Sequence, residues 1–321
     1  MDLSPPIAAL QADPAEQVRA QHGLTAALAS WRESAGVRRV LAGFSRYAKG
    51  APLADQRELA GLFGDVEDAA QDLVAPLMSS FARALAQQPL GVVPVRHFTD
   101  GVMSVLMLAR EGDSLLTLTA IDGAGLAARP EPKSACFSPS DEWEVVLSGT
   151  GRARLIERCG ERIATHGLDL APGLSLGRDG AREALIFDAA DGVLLLLRLQ
   201  RRLDSSQARL EISLEDGKVL HRASATPRES RHEMAVALLG KMGRSDAAPV
   251  LAEIARDVSH GDSLRWQALR ECLGLDTRTG FWTLTAIARS GEDGLAIPAG
   301  ALRAQLLETH PQLAEVERCP A

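Results

Sequence analysis

The chain has 321 residues, 46% hydrophobic and 24% charged, an ordinary globular balance with room for two or three domains. A net charge of −7 offers nucleic acid no attractive field, and aromatics at 4% leave little material for stacking single strands. The longest apolar run, 192–197, is too short for a bilayer, so no membrane partner is expected. Residues 1–90 read as helical. Asp13 before Pro14 forms an N-cap with proline at the first helical position, and Val18, Leu24, Leu28 and Trp31 follow at roughly helical spacing. A second helix over 36–49 carries Val37, Val40, Leu41 and Phe44 on one face, and 55–63 reads as a short third. A fourth opens at Asp65 and carries Val66, Ala70, Leu73, Leu77, Phe81 and Leu85 at three- or four-residue steps, with a kink or break expected at Pro76.

From 92 to 221 the apolar period changes to two. Residues 102–108 and 115–121 read as a hairpin across Arg110-Glu111-Gly112-Asp113. Further strands are predicted over 142–147, 152–158, 161–170, 184–188, 193–201, 210–214 and 219–222. The turns between them fall at Gly149-Thr150-Gly151, Gly160, Asp191-Gly192 and Asp216-Gly217. Strands this numerous and this closely spaced predict a sandwich or barrel, with the proline-bearing segment 123–140 as a loop bordering its mouth. After Thr226-Pro227 the pattern is helical again. Here 235–256 matches 268–289 at a 33-residue offset, with a partial third unit over 299–313, and these units resemble HEAT-type repeats.

The run from Glu142 to Gly151, followed by Ala171-Pro172-Gly173, Asp179-Gly180 and Glu183, resembles the two motifs of a cupin barrel. In a metal-binding cupin the first motif supplies His-x-His and a Glu, and the second supplies a later His. Counting back from Gly149, the resemblance puts the Glu position on Glu142, the first two His positions on Cys136 and Ser138, and the last on Glu183. A thiol, a hydroxyl and a carboxylate in place of three imidazoles leave no transition-metal set. No metal site and no cofactor are therefore expected, and a divalent metal such as iron belongs only to the enzyme alternative.

His97 stands in Arg96-His97-Phe98-Thr99-Asp100, where a strand begins; His97 with Asp100 is a candidate proton-transfer pair and Arg96 a candidate ligand contact. Glu142 and Glu144 share a strand face, opposite Trp143, Val145 and Leu147. Either the carboxylates point inward, as catalytic or ligand-binding groups with Glu183, or the Trp143 face does and the acids are solvated. Four scattered cysteines without a CxxC pair, and no basic segment within 1–12, predict reduced thiols and a cytoplasmic address. The expected fold is α+β and multidomain, with a helical domain over 1–90, a cupin-like antiparallel barrel or sandwich over 91–224, and HEAT-like helical repeats over 225–321. The expected function is that of a non-catalytic binding or accessory protein whose repeats hold a protein or peptide partner. A small-molecule ligand is a second candidate partner, and the alternative is an oxygenase-like or isomerase-like enzyme with a non-standard site in the barrel.

Overall fold

The computed structural model describes residues 15–64, 68–160, 162–203, 208–224 and 226–318. The expected N-cap at Asp13, the helix start at Asp65 with Val66, and Glu161 lie outside the described residues. The chain groups into two compact units, one joining the residues up to Lys133 with Ser140–Arg202, the other joining Ser134–Pro139 with those from Leu203 onward.

The first unit begins with helices α1 (Ala15–Glu33), α2 (Ala35–Ala48), the short α3 (Arg57–Ala60) and α4 (Ala69–Gln87). Leu24, Leu28, Trp31, Val37, Val40, Phe44, Leu73, Leu77 and Phe81 are buried as their spacing requires. The indole of Trp31 donates to the Leu73 carbonyl at 2.8 Å and so fixes α1 on α4. Val18, expected in the α1 stripe, is 70% exposed. At 3.6 residues per turn it stands about 120° around the helix from Leu24, outside the stripe. No break occurs at Pro76, which lies inside α4. Pro76 and Asp72, whose carbonyl loses its intrahelical partner, are both on the exposed face, where solvent replaces the missing hydrogen bond.

Among the described residues, seven antiparallel strands complete this unit: β1 (His97–Thr99), β2 (Met103–Glu111), β3 (Ser114–Asp122), β5 (Ser140–Cys159), β6 (Arg162–Leu170), β7 (Ser175–Asp179) and β8 (Glu183–Arg202). Their order is β1-β2-β3-β8-β5-β6, with β7 pairing β5 beside that path. Among the described residues the ladder has free ends, so of the expected barrel or sandwich the closed barrel is not formed. The reason lies in the glycines. Those at 149–151 and at 192 were expected to close hairpins, but 142–147 and 152–158 are one strand, β5, and 184–188 and 193–201 are one strand, β8. The two long strands pair along their length, with register shifts on either side of Ser148. Gly149 has φ +83°, and a Cβ there would stand 2.3 Å from the Val193 carbonyl oxygen. Glycine therefore lets two paired strands bend together instead of ending them. Gly149→Ala is expected to destabilise by about 1–3 kcal/mol from left-handed backbone strain alone, with the backbone clash adding to it. A urea denaturation midpoint equal to that of the parent chain would show that the bend does not need glycine.

The inner strands of this sheet carry buried residues on both faces. Leu108, Leu116, Leu118, Val145, Leu147, Leu197 and Leu199 join the helical core, whereas Val102, Ile121, Val146, Ala153, Leu170, Leu194 and Leu196 form a second core on the other face. Segment 123–140 is not one loop. It holds a five-residue helix, α5 (Gly123–Ala127), capped by the Asp122 carboxylate accepting from the Gly125 amide at 2.7 Å, and the strand β4 (Ser134–Phe137).

The second unit pairs β4 with β9 (Arg209–Ser213) and β10 (Val219–Ala223) in a separate sheet of order β10-β9-β4, so the last predicted strands do not extend the main sheet. Helices α6 (Pro227–Lys241), α7 (Ala248–Arg256), α8 (Asp262–Leu275), α9 (Thr277–Arg289), α10 (Ala296–Thr309) and α11 (Ala314–Arg318) follow. Thr226 caps α6 by accepting from the Glu229 amide at 3.1 Å, ahead of the N1 proline. Leu251, Leu264, Leu269, Phe281, Leu284 and Ile287 build the core of this unit. Among the described residues, no helix is long and apolar enough to cross a membrane.

Candidate functional site

Cross-strand register assembles a charged cluster on the β5 face opposite the helices. Glu142 stands between Gln200 of β8 and Arg178 of β7, and Glu144 stands between Arg198 and Leu176 one row on. Glu142 accepts from Gln200 at 2.8 Å and from the Ser140 hydroxyl at 2.8 Å, and it pairs with Arg178. Glu144 pairs with Arg198 at 2.6 Å and Arg178 at 3.1 Å, and its side chain is only 2% exposed. Burial by itself would raise the Glu144 carboxyl, but the charges of Arg198 and Arg178 outweigh it and hold the pKa below the ordinary value. Glu144 is thus an ionised carboxylate held between two cations, a poor general acid or base at neutral pH.

Neither alternative for this strand holds as stated, because both of its faces are covered and the acids are not solvated. The carboxylates face inward, and Val145 and Leu147 are buried as well, with Trp143 packed against the helical core. Arg178, Arg198 and Gln200 were missed from sequence because their meeting depends on register. A signal existed, since Arg198 and Gln200 interrupt the apolar β8 run two residues apart, the same spacing as Glu142 and Glu144.

The other candidates are dispersed. His97 lies exposed on the edge strand β1, its Nδ1 3.2 Å from the Val95 carbonyl oxygen. Four strand spacings, about 19 Å along the sheet, separate β1 from β5 and hence His97 from Glu142. Asp100 accepts from the Met103 amide at 2.8 Å and the Val102 amide at 3.0 Å and pairs with Arg129 at 2.9 Å. The Met103 amide first, then Arg129, bring its carboxyl down to about 2. Asp100 therefore builds the turn into β2. Arg96 is exposed, and its carbonyl accepts from the Met107 amide at 2.8 Å. The Glu183 carboxylate accepts from the Asp179 amide at 2.9 Å, closing the turn between β7 and β8.

The donor set at the cupin-like positions does not fit a metal. Cys136 belongs to β4 in the second sheet, Glu142 is engaged by Arg178, Gln200 and Ser140, and Glu183 by a backbone amide. Among the described residues, no three His, Cys, Asp or Glu side chains are grouped to hold a metal ion.

The second unit carries an open groove between α8 and α10, of about 680 Å³. Trp266, Arg270 and Leu273 line it from α8 at positions i, i+4 and i+7, and Leu302 and Leu306 face them from α10. His310 and Leu313 close one end. Arg270 is exposed and has no charged or hydrogen-bonded partner among the described residues.

No family model matches the chain, and no curated protein does. Among solved structures, the chain is similar to CapF with the inhibitor 3-isopropenyl-tropolone, at 11% identity over 53% of this chain and 44% of that one, TM-score 0.28. It therefore spans less than half the length of CapF. It is also similar to Drosophila melanogaster CENP-C bound to CAL1, at 12% identity over 34% of this chain and 78% of that one, TM-score 0.28. A third is a cupin-superfamily protein from Desulfitobacterium hafniense, at 15% identity over 33% and 83% of the two chains, TM-score 0.23.

Proposed function

We propose that the protein is a non-catalytic binding protein, in which a cupin-like sheet without the usual metal ligands serves as a platform and HEAT-like helical repeats hold a peptide or protein segment. The groove between α8 and α10 carries this reading. Its floor of Trp266, Leu273, Leu302 and Leu306 suits aliphatic anchors, and the unpaired guanidinium of Arg270 suits a carboxylate beside them. The repeat reading is supported by a corner that recurs at the 33-residue offset. The rings of His232 and His260 stand 6.4 Å apart, and the same offset leads to Arg265 and Asp293, which are paired. The inward carboxylates that an enzyme would use are already tied to guanidiniums.

Panning a random displayed-peptide library on the purified protein tests this. Enriched peptides are expected to set an acidic residue beside apolar anchors, and Arg270→Glu is expected to weaken them at least about tenfold, equivalent to about 1.4 kcal/mol. Peptides that bind Arg270→Glu and the parent chain equally would remove the groove from consideration.

A further inference from the structure

We infer that a second, independent site lies in the first unit: a cleft between α4 and the edge of the main sheet that takes a neutral, apolar small molecule carrying a hydroxyl group. The cleft holds about 470 Å³, within the range of small-molecule pockets. Register builds its floor in two rows. His97 of β1, Leu106 of β2 and Leu118 of β3 form one row, and Thr99, Ser104, Ala120 and Leu195 form the next. Leu85 lines it from α4, and Met78 of α4 and Val92, both on its border, are exposed at 36% and 54%. The border segment is held in place. The Gln21 side chain of α1 donates to the Val92 carbonyl at 2.9 Å and accepts from its amide at 3.2 Å. The cleft is therefore formed before any ligand arrives.

Its chemistry selects the occupant. None of the residues lining it among those described is Asp, Glu, Lys or Arg. A charged ligand would lose its hydration and meet no counter-ion, so a neutral one is favoured. The polar groups gather at one end. With Nδ1–H of His97 donating to the Val95 carbonyl, Nε2 is left as an acceptor. The Ser104 hydroxyl donates to Thr99 Oγ1 at 3.1 Å, which leaves the Thr99 hydroxyl proton free to be donated. His97 and Thr99 are two residues apart on one strand face, about 7 Å between their backbones, so the two polar side chains stand side by side at the same end of the cleft. A hydroxyl both donates and accepts, and so meets both.

Displacement of Nile red from the purified full-length protein tests the site, with 1-decanol and decanoate as competitors. Decanol is expected to displace the dye at least tenfold more effectively than decanoate at pH 8. His97→Ala is expected to weaken decanol about tenfold while leaving the dye bound. Ser104→Trp, at an exposed position, is expected to exclude the dye, with circular dichroism and the melting curve unchanged. Equal competition by decanol and decanoate, indifference to both substitutions, or absence of dye binding in a protein that light scattering finds dimeric would overturn the proposal.

Discussion

Replacing Glu144 with alanine is expected to destabilise the first unit by about 3–5 kcal/mol, the usual penalty for removing one partner of a buried ion pair. At roughly 2–4 °C per kcal/mol for a domain of 150–250 residues, the melting temperature should fall by roughly 6–20 °C. The cause is not the loss of an attraction. Arg178, with a side chain 6% exposed, would keep its charge in a buried site with only Glu142 as counter-ion. Pairwise replacement separates the two effects. Glu144→Leu with Arg198→Leu removes one charge of each sign and leaves the Glu142–Arg178 pair, so most of the loss should be recovered. If the double variant is as unstable as the single one, packing around Glu144 and not its charge is what matters. The pH dependence has a definite sign. Because the folded pKa of Glu144 is lowered, its contribution is full above the unfolded carboxylate value of about 4.3 and is lost as pH falls through the folded value. The gap in unfolding free energy between the parent chain and Glu144→Gln should therefore narrow on acidification below about pH 4.

Much of the local structure was legible in the sequence, because local structure depends on spacing. The hairpin of β2 and β3 turns at Gly112, with φ +55°, where the Glu-Gly-Asp signal placed it. The apolar stripes of α2 and α4 are buried as their periods require. What escaped depends on pairing between distant segments. A glycine with positive φ looks the same in sequence whether it ends a strand, as Gly160 does, or bends one, as Gly149 does. Only the partner strand distinguishes them, and that partner lies more than forty residues away. The same limit hid the candidate sites. Glu142 is visible as an acid on an alternating strand, but its ion pair with Arg178 and its hydrogen bond from Gln200 follow from two separate registers. The cleft at His97 requires a helix to lie over the sheet edge. Arg201 illustrates a third case, since its guanidinium donates to the Tyr47 and Ala51 carbonyls at the end of α2 and pairs with Asp141 at 2.7 Å. A cation at a helix C-terminus is favourable whichever helix it is, so residue type alone does not choose the partner.

In the second unit, Arg265→Ala is expected to cause a loss of about 3–5 kcal/mol for the same physical reason. The Arg265 and Asp293 side chains are 3% and 5% exposed and face each other as a two-pronged pair, with one contact at 3.0 Å. The guanidinium also donates to the Ala255 carbonyl at 3.1 Å, near the end of α7, while Asp293 accepts from the Leu295 amide at 2.9 Å, just before α10. One side chain on α8 thus ties together the end of α7 and the start of α10. Arg265→Lys should recover little, because an ammonium presents no planar fork and cannot reach the two Asp293 oxygens and the Ala255 carbonyl together. Hydrogen exchange read by mass spectrometry provides the check, since it resolves the affected segments without requiring the whole chain to unfold in one step. Amides of α7, α8 and the first turn of α10 should exchange faster in Arg265→Ala and Arg265→Lys, while those of β5 and β8 keep their protection. Unchanged protection around residues 255 and 295 would mean that apolar packing of Leu251, Leu264, Leu269 and Phe281 holds this corner without the ion pair.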